Sequence, residues 1–421
     1  MLMTFALKTV GYVASLPWRV AGPIAIAFIS FYLMWVRAGE FAATFRLTPE
    51  IVDFHAFYLS GLLANDGRLA EAYDISKLLQ AQRDYLGAML FMPWTYPPPF
   101  NLVTSGLAKL PFGSSYFLFT GASFASFMLV LWLIAPREFP RVLLLAVTSI
   151  IIMLICGQNG FLTASIVGLF ALLYLRQSLW AGAVLGLMIF KPHLVIGIGL
   201  WLLLRRDTGQ LLAASIVAIG LCLASTVAFG PAIWTSFLQA TADASSSLIM
   251  GLYPLFRMTT VYAGLRSLGL PYGLAIAVHG AVALFMLCVI AACALRCKDP
   301  RTSLGVAVFA SLYVSPYCYD YDKPMLIVAV ALLSPILLHG RGAIFAWSLL
   351  AMTWLAGASG FVSGMPWSAP PTTKADLLSL GWIAMLGLAA LVLSAVRHAS
   401  RVQAESGGIV PGARVVAEPA R

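Results

Sequence analysis

Residues 179–204 read LWAGAVLGLMIFKPHLVIGIGLWLLL, two apolar stretches joined by Lys191-Pro192-His193. An apolar stretch of about 20 residues crosses the hydrocarbon core of a membrane as a helix, because lipid offers no partner for backbone polar groups. Each stretch here is shorter than that, and proline interrupts a helix. We therefore predict two tilted or broken helices whose junction lies at a cavity.

The rest of the 421-residue chain is equally apolar, with 61% hydrophobic and 10% charged residues and a mean hydropathy of +0.91. This composition predicts an all-α polytopic membrane protein with about twelve transmembrane helices. The 26 Lys and Arg residues are spread over short connections, which fits membrane topology better than nucleic-acid binding. The predicted spans are 20–36, 116–135, 142–157, 160–175, 179–190, 193–204, 210–229, 273–295, 302–316, 324–339, 342–362 and 377–396.

Basic residues also set the predicted orientation. With a cytoplasmic N-terminus the basic connections fall inside, among them residues 296–301 (RCKDPR), as the positive-inside rule requires. No small-x-small cleavage site follows the first apolar run, which we interpret as an uncleaved first span. Both termini are then cytoplasmic.

The predicted domain organisation is a single transmembrane domain, residues 1–397, followed by a disordered cytoplasmic tail, residues 398–421. Residues 38–95 form the first outer loop, residues 230–272 the second, and residues 363–375 a third outer segment.

Two shorter elements are predicted in and after the first outer loop. Apolar residues recur at three- or four-residue spacing from Ala72 to Met89, which predicts an amphipathic helix on the outer leaflet. Residues 97–112 are too short and too proline-rich for a span, so we interpret them as a re-entrant element. The apolar side chains of 97–135 are candidates for the wall that holds a lipid tail.

In this orientation, polar residues close to the spans collect on the outer side. An acid beside a membrane span is costly and is therefore a candidate functional residue. Asp53 is such an acid, although a solvated loop acid or a helix cap would look the same.

Lys191 either extends to the interface or neutralises an anion. No acid is near it in sequence, which favours an anionic ligand, and His193 could donate a hydrogen bond to the same anion.

Two further outer turns carry polar side chains. Gln158 and Asn159 either form a tight helical hairpin turn or orient the hydroxyl groups of a polar substrate. Tyr319, Asp320 and Asp322 crowd a late turn, where rings and carboxylates suit a sugar but also occur in any interfacial aromatic belt.

Soluble-enzyme signatures are missing from the sequence. It has no glycine-rich nucleotide loop, no Walker lysine motif, no metal-type His/Cys spacing and no Gly-x-Ser-x-Gly. No cofactor is therefore expected. Asp320 and Asp322 have the Asp-x-Asp form used for metals, which leaves a divalent metal open.

The outer motifs, taken in order, resemble those of bacterial glycosyltransferase family 87, in the GT-C superfamily, which includes polyprenyl-phosphate-mannose-dependent α-1,2-mannosyltransferases. The resemblance covers roughly residues 15–396. The motifs that carry it are Asp53-Phe54-x-x-Phe57-Tyr58, Tyr96-Pro97-Pro98, Gly157-Gln158-Asn159, Lys191-Pro192-His193 and Ser315-Pro316-Tyr317 with Asp320-Tyr321-Asp322.

This resemblance implies an enzyme of the bacterial inner (plasma) membrane that works on the periplasmic face. It would transfer a hexose, with mannose favoured, from a polyprenyl phosphate to a lipid or glycan hydroxyl, with inversion and with Asp53 as general base. Its partners would be the donor, the acceptor and membrane lipids, without nucleic acid. The residues expected to bind the donor phosphate are Lys191, His193 and Arg257. The residues expected to bind substrate are His55, Tyr96, Gln158, Asn159, Tyr319, Asp320 and Asp322.

One departure from the family pattern leaves a role open. Some members carry a functional histidine in the late outer turn, where this chain has Tyr317-Cys318-Tyr319-Asp320. Whether Asp320, Asp322 or neither takes that role is not decided by the sequence.

Two other functions share part of this pattern. A lipid-linked sugar flippase or proton-coupled carrier also has many spans and broken helices, but it needs ionisable groups at mid-membrane. The runs 210–229 and 273–295 hold only His279 of that kind. Other GT-C enzymes usually carry a large soluble outer domain, which this chain lacks.

Overall fold

The computed structural model describes residues 17–44, 52–87, 89–364 and 377–405. Over these residues the chain is α-helical, with short 3-10 turns and one isolated β-bridge between Met258 and Tyr319 in place of strands. The prediction of an all-α protein is confirmed.

The helices follow one another along the chain with mostly short connections. In the first half they are α1 (Trp18–Thr44), α2 (Asp53–Asn65), α3 (Leu69–Ala72), α4 (Ile75–Leu86), α5 (Pro99–Leu107), α6 (Phe112–Ile134), α7 (Phe139–Cys156), α8 (Gly160–Leu175) and α9 (Trp180–Gly186). In the second half they are α10 (Ile196–Leu204), α11 (Thr208–Phe229), α12 (Ala232–Met250), α13 (Val261–Ser267), α14 (Tyr272–Arg296), α15 (Pro300–Ser311), α16 (Lys323–Leu337), α17 (Ala343–Ser363) and α18 (Gly381–Glu405).

Seven of these helices are long and apolar enough to cross a membrane: α1, α6, α7, α11, α14, α17 and α18. This confirms a polytopic membrane protein. Every predicted apolar segment coincides with a helix, but those at α8, α9, α10, α15 and α16 are shorter than the others. Seven helices among the described residues are therefore long and apolar enough for a full crossing, and the number of about twelve crossings stays a prediction.

The broken pair predicted around Lys191 is present in the structure. The helical stretch Trp180–Phe190 is 11 residues long and so rises only about 16 Å, half of a hydrocarbon core of about 30 Å. Gly182 and Gly186 let it lie directly against the first half of α11, at the backbone of Gln210 and Ala214. Lys191 therefore lies near the level of the middle of α11.

Helix α16 forms the centre of the bundle, packed on α7, α8 and α15. Its residues from Lys323 to Ser334 are all buried. Pro335 lies inside this helix and cannot donate to the carbonyl of Ala331. The guanidinium of Arg301 replaces the missing donor, with Nη2 3.0 Å from the Ala331 oxygen and Nε 3.0 Å from the Leu332 oxygen.

The two segments predicted as outer loops are themselves largely helical. Residues 38–95 contain α2, α3 and α4, and residues 230–272 contain α12 and α13. The predicted amphipathic helix is α4, which Asp74 caps at its N-terminus. It buries Leu78, Ala81 and Leu86 against the protein.

Two predicted segments fall mainly outside the described residues. Of the third outer segment, residues 365–375 lie outside them, and so do residues 406–421 of the predicted tail. Helix α18 continues to Glu405, so the first part of that tail, from residue 398, is helical.

Candidate active site

One large cavity, of about 840 Å³, lies between the broken helices and the segments predicted as outer loops. It is lined by residues that are far apart in sequence and were singled out above. They are Asp53, Tyr96, Gln158, Lys191, His193, Arg257, Tyr319, Asp320 and Asp322.

Asp53 lies at this cavity because the residue that follows it, Phe54, is packed in the core. Asp53 is the first residue of α2, and Phe54 is fully buried against the rings of Phe112 and Tyr116. A Cβ on Gly157 would lie 2.8 Å from Cβ of Phe54, and Gly157 has a φ of 64°. Only glycine adopts that conformation at little cost while leaving room for a neighbour.

Arg257 joins two carboxylates across the cavity. Its Nη1 and Nη2 donate to Oδ1 and Oδ2 of Asp53, at 3.4 and 3.2 Å. Its Nε and Nη2 donate to Oδ2 and Oδ1 of Asp320, at 3.3 and 3.2 Å. One guanidinium thus binds two carboxylates that are far apart in sequence.

The two carboxylates differ in their surroundings. The Asp320 side chain is fully buried and also accepts a hydrogen bond from the backbone N–H of Tyr321, at 2.8 Å. Helix α17 covers it at Gly360, where a Cβ would overlap Oδ2 of Asp320 and lie 3.0 Å from Cγ of Arg257. The Asp53 side chain keeps 13% of its surface exposed.

Burial and charge pull the pKa values of this cluster in opposite directions. Burial raises the pKa of Asp320, although the nearby Arg257 guanidinium opposes the rise. Burial alone would lower the pKa of Arg257, but Asp320 and Asp53 outweigh it and hold that pKa well above its usual value. The guanidinium therefore stays charged.

Lys191 also has a carboxylate partner, although none is near it in sequence. Its Nζ lies 2.8 Å from Oδ1 of Asp322, and both side chains are almost fully buried. Burial would raise the pKa of Asp322, but Lys191 and the backbone N–H of Tyr319 outweigh burial and lower it. Asp320 and Asp322 thus face different cations.

Tyr321 lies between these two ion pairs. Its ring stacks on that of Tyr319, with 4.9 Å between centroids and 9° between planes. The Lys191 ammonium is 5.0 Å and the Arg257 guanidinium 5.3 Å from the centre of the Tyr321 ring. The Tyr321 ring therefore contacts protein groups and separates the two cations.

The turn at 157–160 is docked onto the turn at 320–322. A Cβ on Gly160 would overlap the carbonyl oxygen of Tyr321, so only glycine allows this contact. Gln158 lines the cavity, and its Oε1 accepts from the Tyr96 hydroxyl and from the backbone N–H of Asn159, both at 2.9 Å. Asn159 is fully buried at the start of α8.

The two histidines that were singled out lie in different places. His193 lines the cavity, and burial, with a smaller effect of Lys191, lowers its pKa to about 4. It is therefore neutral at neutral pH. His55 is buried outside the cavity lining, with its ring 4.6 Å from that of Phe112 and its Nδ1 3.1 Å from the backbone nitrogen of Val52.

The apolar side of the cavity was not predicted correctly. Of residues 97–135, Pro97 alone lines it among those the structure describes. The apolar side chains that line it include residues 90–92, residues of α7, Phe190, Phe237 and Phe361 of α17. Short hydrophobic segments of this kind carry no local signal that separates a cavity wall from the rest of the membrane-embedded surface.

The structure describes no cluster of three or more His, Cys, Asp or Glu residues suited to hold a metal ion. Within the cavity, Arg257 contacts Asp53 and Asp320, and Lys191 contacts Asp322.

The fold and the site together define an integral membrane protein with charged groups around an internal cavity. A comparison with protein families matches residues 94–316 to glycosyltransferase family 87, which is more than half of the chain. The chain belongs to glycosyltransferase family 87, and it is a membrane glycosyltransferase that acts on a sugar donor and an acceptor. No curated protein and no solved structure matches it.

Family membership decides between the enzyme and the carrier considered above. The matched range contains Tyr96, Gln158, Lys191 and Arg257, whereas Asp53 and the turn at 320–322 lie outside it. Lys191 lies near the level of the middle of α11, and charged groups at such a level would also suit a carrier, so the level of the site alone does not separate the two classes.

Proposed function

We propose that the protein is an inverting glycosyltransferase that moves a hexose, with mannose favoured by the sequence resemblance, from a polyprenyl phosphate to a lipid or glycan hydroxyl. The observation that carries this proposal is the partly exposed carboxylate of Asp53, which lines the cavity and lies beside the cation Arg257. This reaction requires a base for the acceptor hydroxyl and a cation for the phosphate at the same cavity, and Asp53 and Arg257 both line it.

In the proposed reaction, Asp53 takes the proton from the acceptor hydroxyl. The acceptor oxygen forms a bond to the anomeric carbon while the bond from that carbon to the phosphate oxygen breaks. The electron pair of that bond leaves with the polyprenyl phosphate, which is a stable anion and needs no general acid. General-base assistance of this kind contributes about 10²–10⁴ in rate.

Arg257 is the main candidate to bind the donor phosphate, because a guanidinium forms paired hydrogen bonds with phosphate oxygens. Lys191 is buried and paired with Asp322, so it contributes through its charge at the base of the cavity. The imidazole of His193, neutral at neutral pH, would donate one N–H to the phosphate.

The apolar wall offers a path for the polyprenyl tail. Ile155 of α7 and Phe361 of α17 both line the cavity and keep 45% and 55% of their surface exposed. A lipid tail that passes between these side chains would stay in hydrocarbon while its phosphate reaches the charged groups.

We infer that the cavity faces the periplasm of a bacterial inner membrane. In the orientation predicted from the basic connections, the exposed side chains of Trp18, Trp180 and Trp347 come to the cytoplasmic ends of their helices. Tryptophan favours both membrane–water interfaces, so these side chains fit an interfacial level, and the orientation itself rests on the basic connections.

The test is transfer of radiolabelled mannose from polyprenyl-phosphate-mannose into a lipid extract of the host membrane. Asp53→Asn should lower transfer by about 10²-fold or more. Asp84→Asn is the matched control, because Asp84 is an exposed acid on α4 of the same outer segment. Equal activity of Asp53→Asn and wild type would remove Asp53 from its role, and no transfer by either would make the assumed donor wrong.

A further inference from the structure

The cavity has no unpaired cation to offer an anionic ligand. Among the described residues that line it, the cations are Lys191 and Arg257, and each already contacts a carboxylate. Both faces of the Arg257 guanidinium that can form paired hydrogen bonds are occupied, the Nη1/Nη2 face by Asp53 and the Nε/Nη2 face by Asp320. A phosphate that takes paired hydrogen bonds from Arg257 must therefore displace one of these two carboxylates.

The surroundings of the three carboxylates indicate which one is displaced. Asp322 and Asp320 are fully buried and are held in place by backbone N–H groups, those of Tyr319 and Tyr321. Gly360 further confines Asp320. Within the part of the chain that the structure describes, Asp53 accepts no backbone hydrogen bond that would fix its side chain in the same way, and the side chain remains partly exposed.

The paired state also limits what Asp53 can do. Both of its oxygens accept hydrogen bonds from Arg257, one from Nη1 and one from Nη2. An oxygen held in this way is poorly placed to accept the proton of an acceptor hydroxyl, since the proton and the guanidinium compete for it.

We propose that the donor phosphate takes over the two hydrogen bonds that Nη1 and Nη2 of Arg257 donate to Asp53 and so releases Asp53 to act as base. Asp320 keeps its contacts with Nε and Nη2 and holds the guanidinium in position during the exchange. Arg257 is thus a positioning residue for Asp53 as well as a phosphate ligand. The inference rests on the proposed function, because it takes the donor to be a lipid phosphate.

This exchange makes the order of binding matter. Without donor, Asp53 is engaged by Arg257, so an acceptor that enters alone meets no free base. With donor bound, the base is free at the moment when a sugar is available. The competition also lowers the apparent affinity for phosphate. Arg257 binds phosphate only in the fraction of molecules that Asp53 has left, so the apparent affinity falls in proportion to that fraction.

The experiment measures binding of polyprenyl phosphate, without sugar, to the purified full-length protein in detergent. Wild type, Asp53→Asn and Asp320→Asn are compared, with the uncharged polyprenol as second probe. Asp53→Asn should bind polyprenyl phosphate about tenfold more tightly than wild type. Asp320→Asn should not bind it more tightly, and polyprenol should bind equally to all three.

Asp53→Ser provides a second test that does not depend on how an asparagine packs against Arg257. It should also bind the phosphate more tightly than wild type, and thermal unfolding checks that each variant is folded. A general effect of removing one negative charge would instead tighten binding equally in Asp53→Asn and Asp320→Asn, and that outcome overturns the exchange.

The remaining outcomes separate the inference from the proposed function. If wild type binds polyprenyl phosphate more tightly than polyprenol, but Asp53→Asn and Asp53→Ser bind no more tightly than wild type, the exchange is wrong and the proposed donor stands. If no form distinguishes the phosphate from the alcohol, the donor is wrong and the exchange falls with it.

Discussion

Nζ of Lys191 lies 2.8 Å from Oδ1 of Asp322, although 131 residues separate the two in sequence. Both side chains are almost completely buried. An ion pair of this kind contributes little when compared with an apolar pair, but removal of one partner leaves a buried charge without compensation.

Lys191→Met should therefore destabilise the protein by about 3–5 kcal/mol. Adding Asp322→Asn to Lys191→Met should restore part of that loss, because no buried charge then remains unpaired. Thermal unfolding of the three variants in detergent measures the effect. Strictly additive losses would show that the two side chains do not depend on each other.

Gly360→Ala should strongly reduce sugar transfer while the protein stays folded. The new Cβ would overlap Oδ2 of Asp320 and approach Cγ of Arg257, so the guanidinium must move, and small displacements at a reacting centre cost about 10²-fold in rate. Gly364→Ala, one turn further on, is the control, because its nearest neighbour would be 3.4 Å away. Similar activities of the two variants would contradict the proposed role of Arg257.

Gly157→Ala should destabilise the protein more than Gly340→Ala. Both glycines have nearly the same positive φ, 64° and 65°, so both variants bear a similar backbone cost of about 1 kcal/mol. Gly157 alone has close neighbours, with Phe54 Cβ 2.8 Å and Tyr116 Cε2 3.0 Å from the position of a Cβ, whereas Gly340 has none within 4 Å. The difference in unfolding temperature between the two variants measures the cost of the close contacts with Phe54 and Tyr116. Equal losses of stability would mean that Phe54 can move aside.

His193 should make stability depend on pH. Its pKa is about 4 in the folded protein and 6.5 ordinarily, so the unfolded chain takes up a proton first as the pH falls. Its contribution to stability is complete above about pH 6.5 and is lost progressively toward pH 4. The unfolding temperature of wild type should therefore fall more steeply between about pH 7 and pH 5 than that of His193→Asn. Parallel curves would argue against a buried neutral imidazole.

Arg301→Met should destabilise the bundle, and Pro335→Ala should relieve part of that loss. The Arg301 guanidinium donates to the carbonyls of Ala331 and Leu332 in α16 and also to that of Ile134 at the end of α6. Hydrogen bonds to charged groups are worth about 1.5–3 kcal/mol. An alanine at position 335 would supply the N–H that Ala331 lacks, so the double variant should unfold at a higher temperature than Arg301→Met alone, and a lower temperature would contradict this account of Pro335.

The sequence predicted the helices well because membrane spans follow from local composition. The interruption at Lys191-Pro192-His193 was predicted correctly for the same reason, since proline and a charge are visible within a single stretch. The position of Asp53 at the cavity could also be predicted from the sequence, because an acid next to a membrane span is costly unless it faces a polar site.

The pairing of the charged residues was not accessible from the sequence. Lys191 was expected to bind an anionic ligand because no acid is near it in sequence. In the structure it pairs with Asp322, which is far from it along the chain. Gly360 gave no signal either, since a glycine in an apolar helix is common and its role depends on the distance to Asp320. Such contacts follow from helix packing, which one sequence does not specify.

The contact between Arg257 and Asp53 joins positions that are 204 residues apart. At about 5–20 residues per second, the ribosome adds Arg257 about 10–40 s after Asp53, and Asp320 follows later still. During that interval the nascent chain carries Asp53 without its cation while further helices enter the membrane. The enzyme therefore becomes competent only late in its own synthesis, and a prematurely terminated chain that ends before α16 holds no complete site.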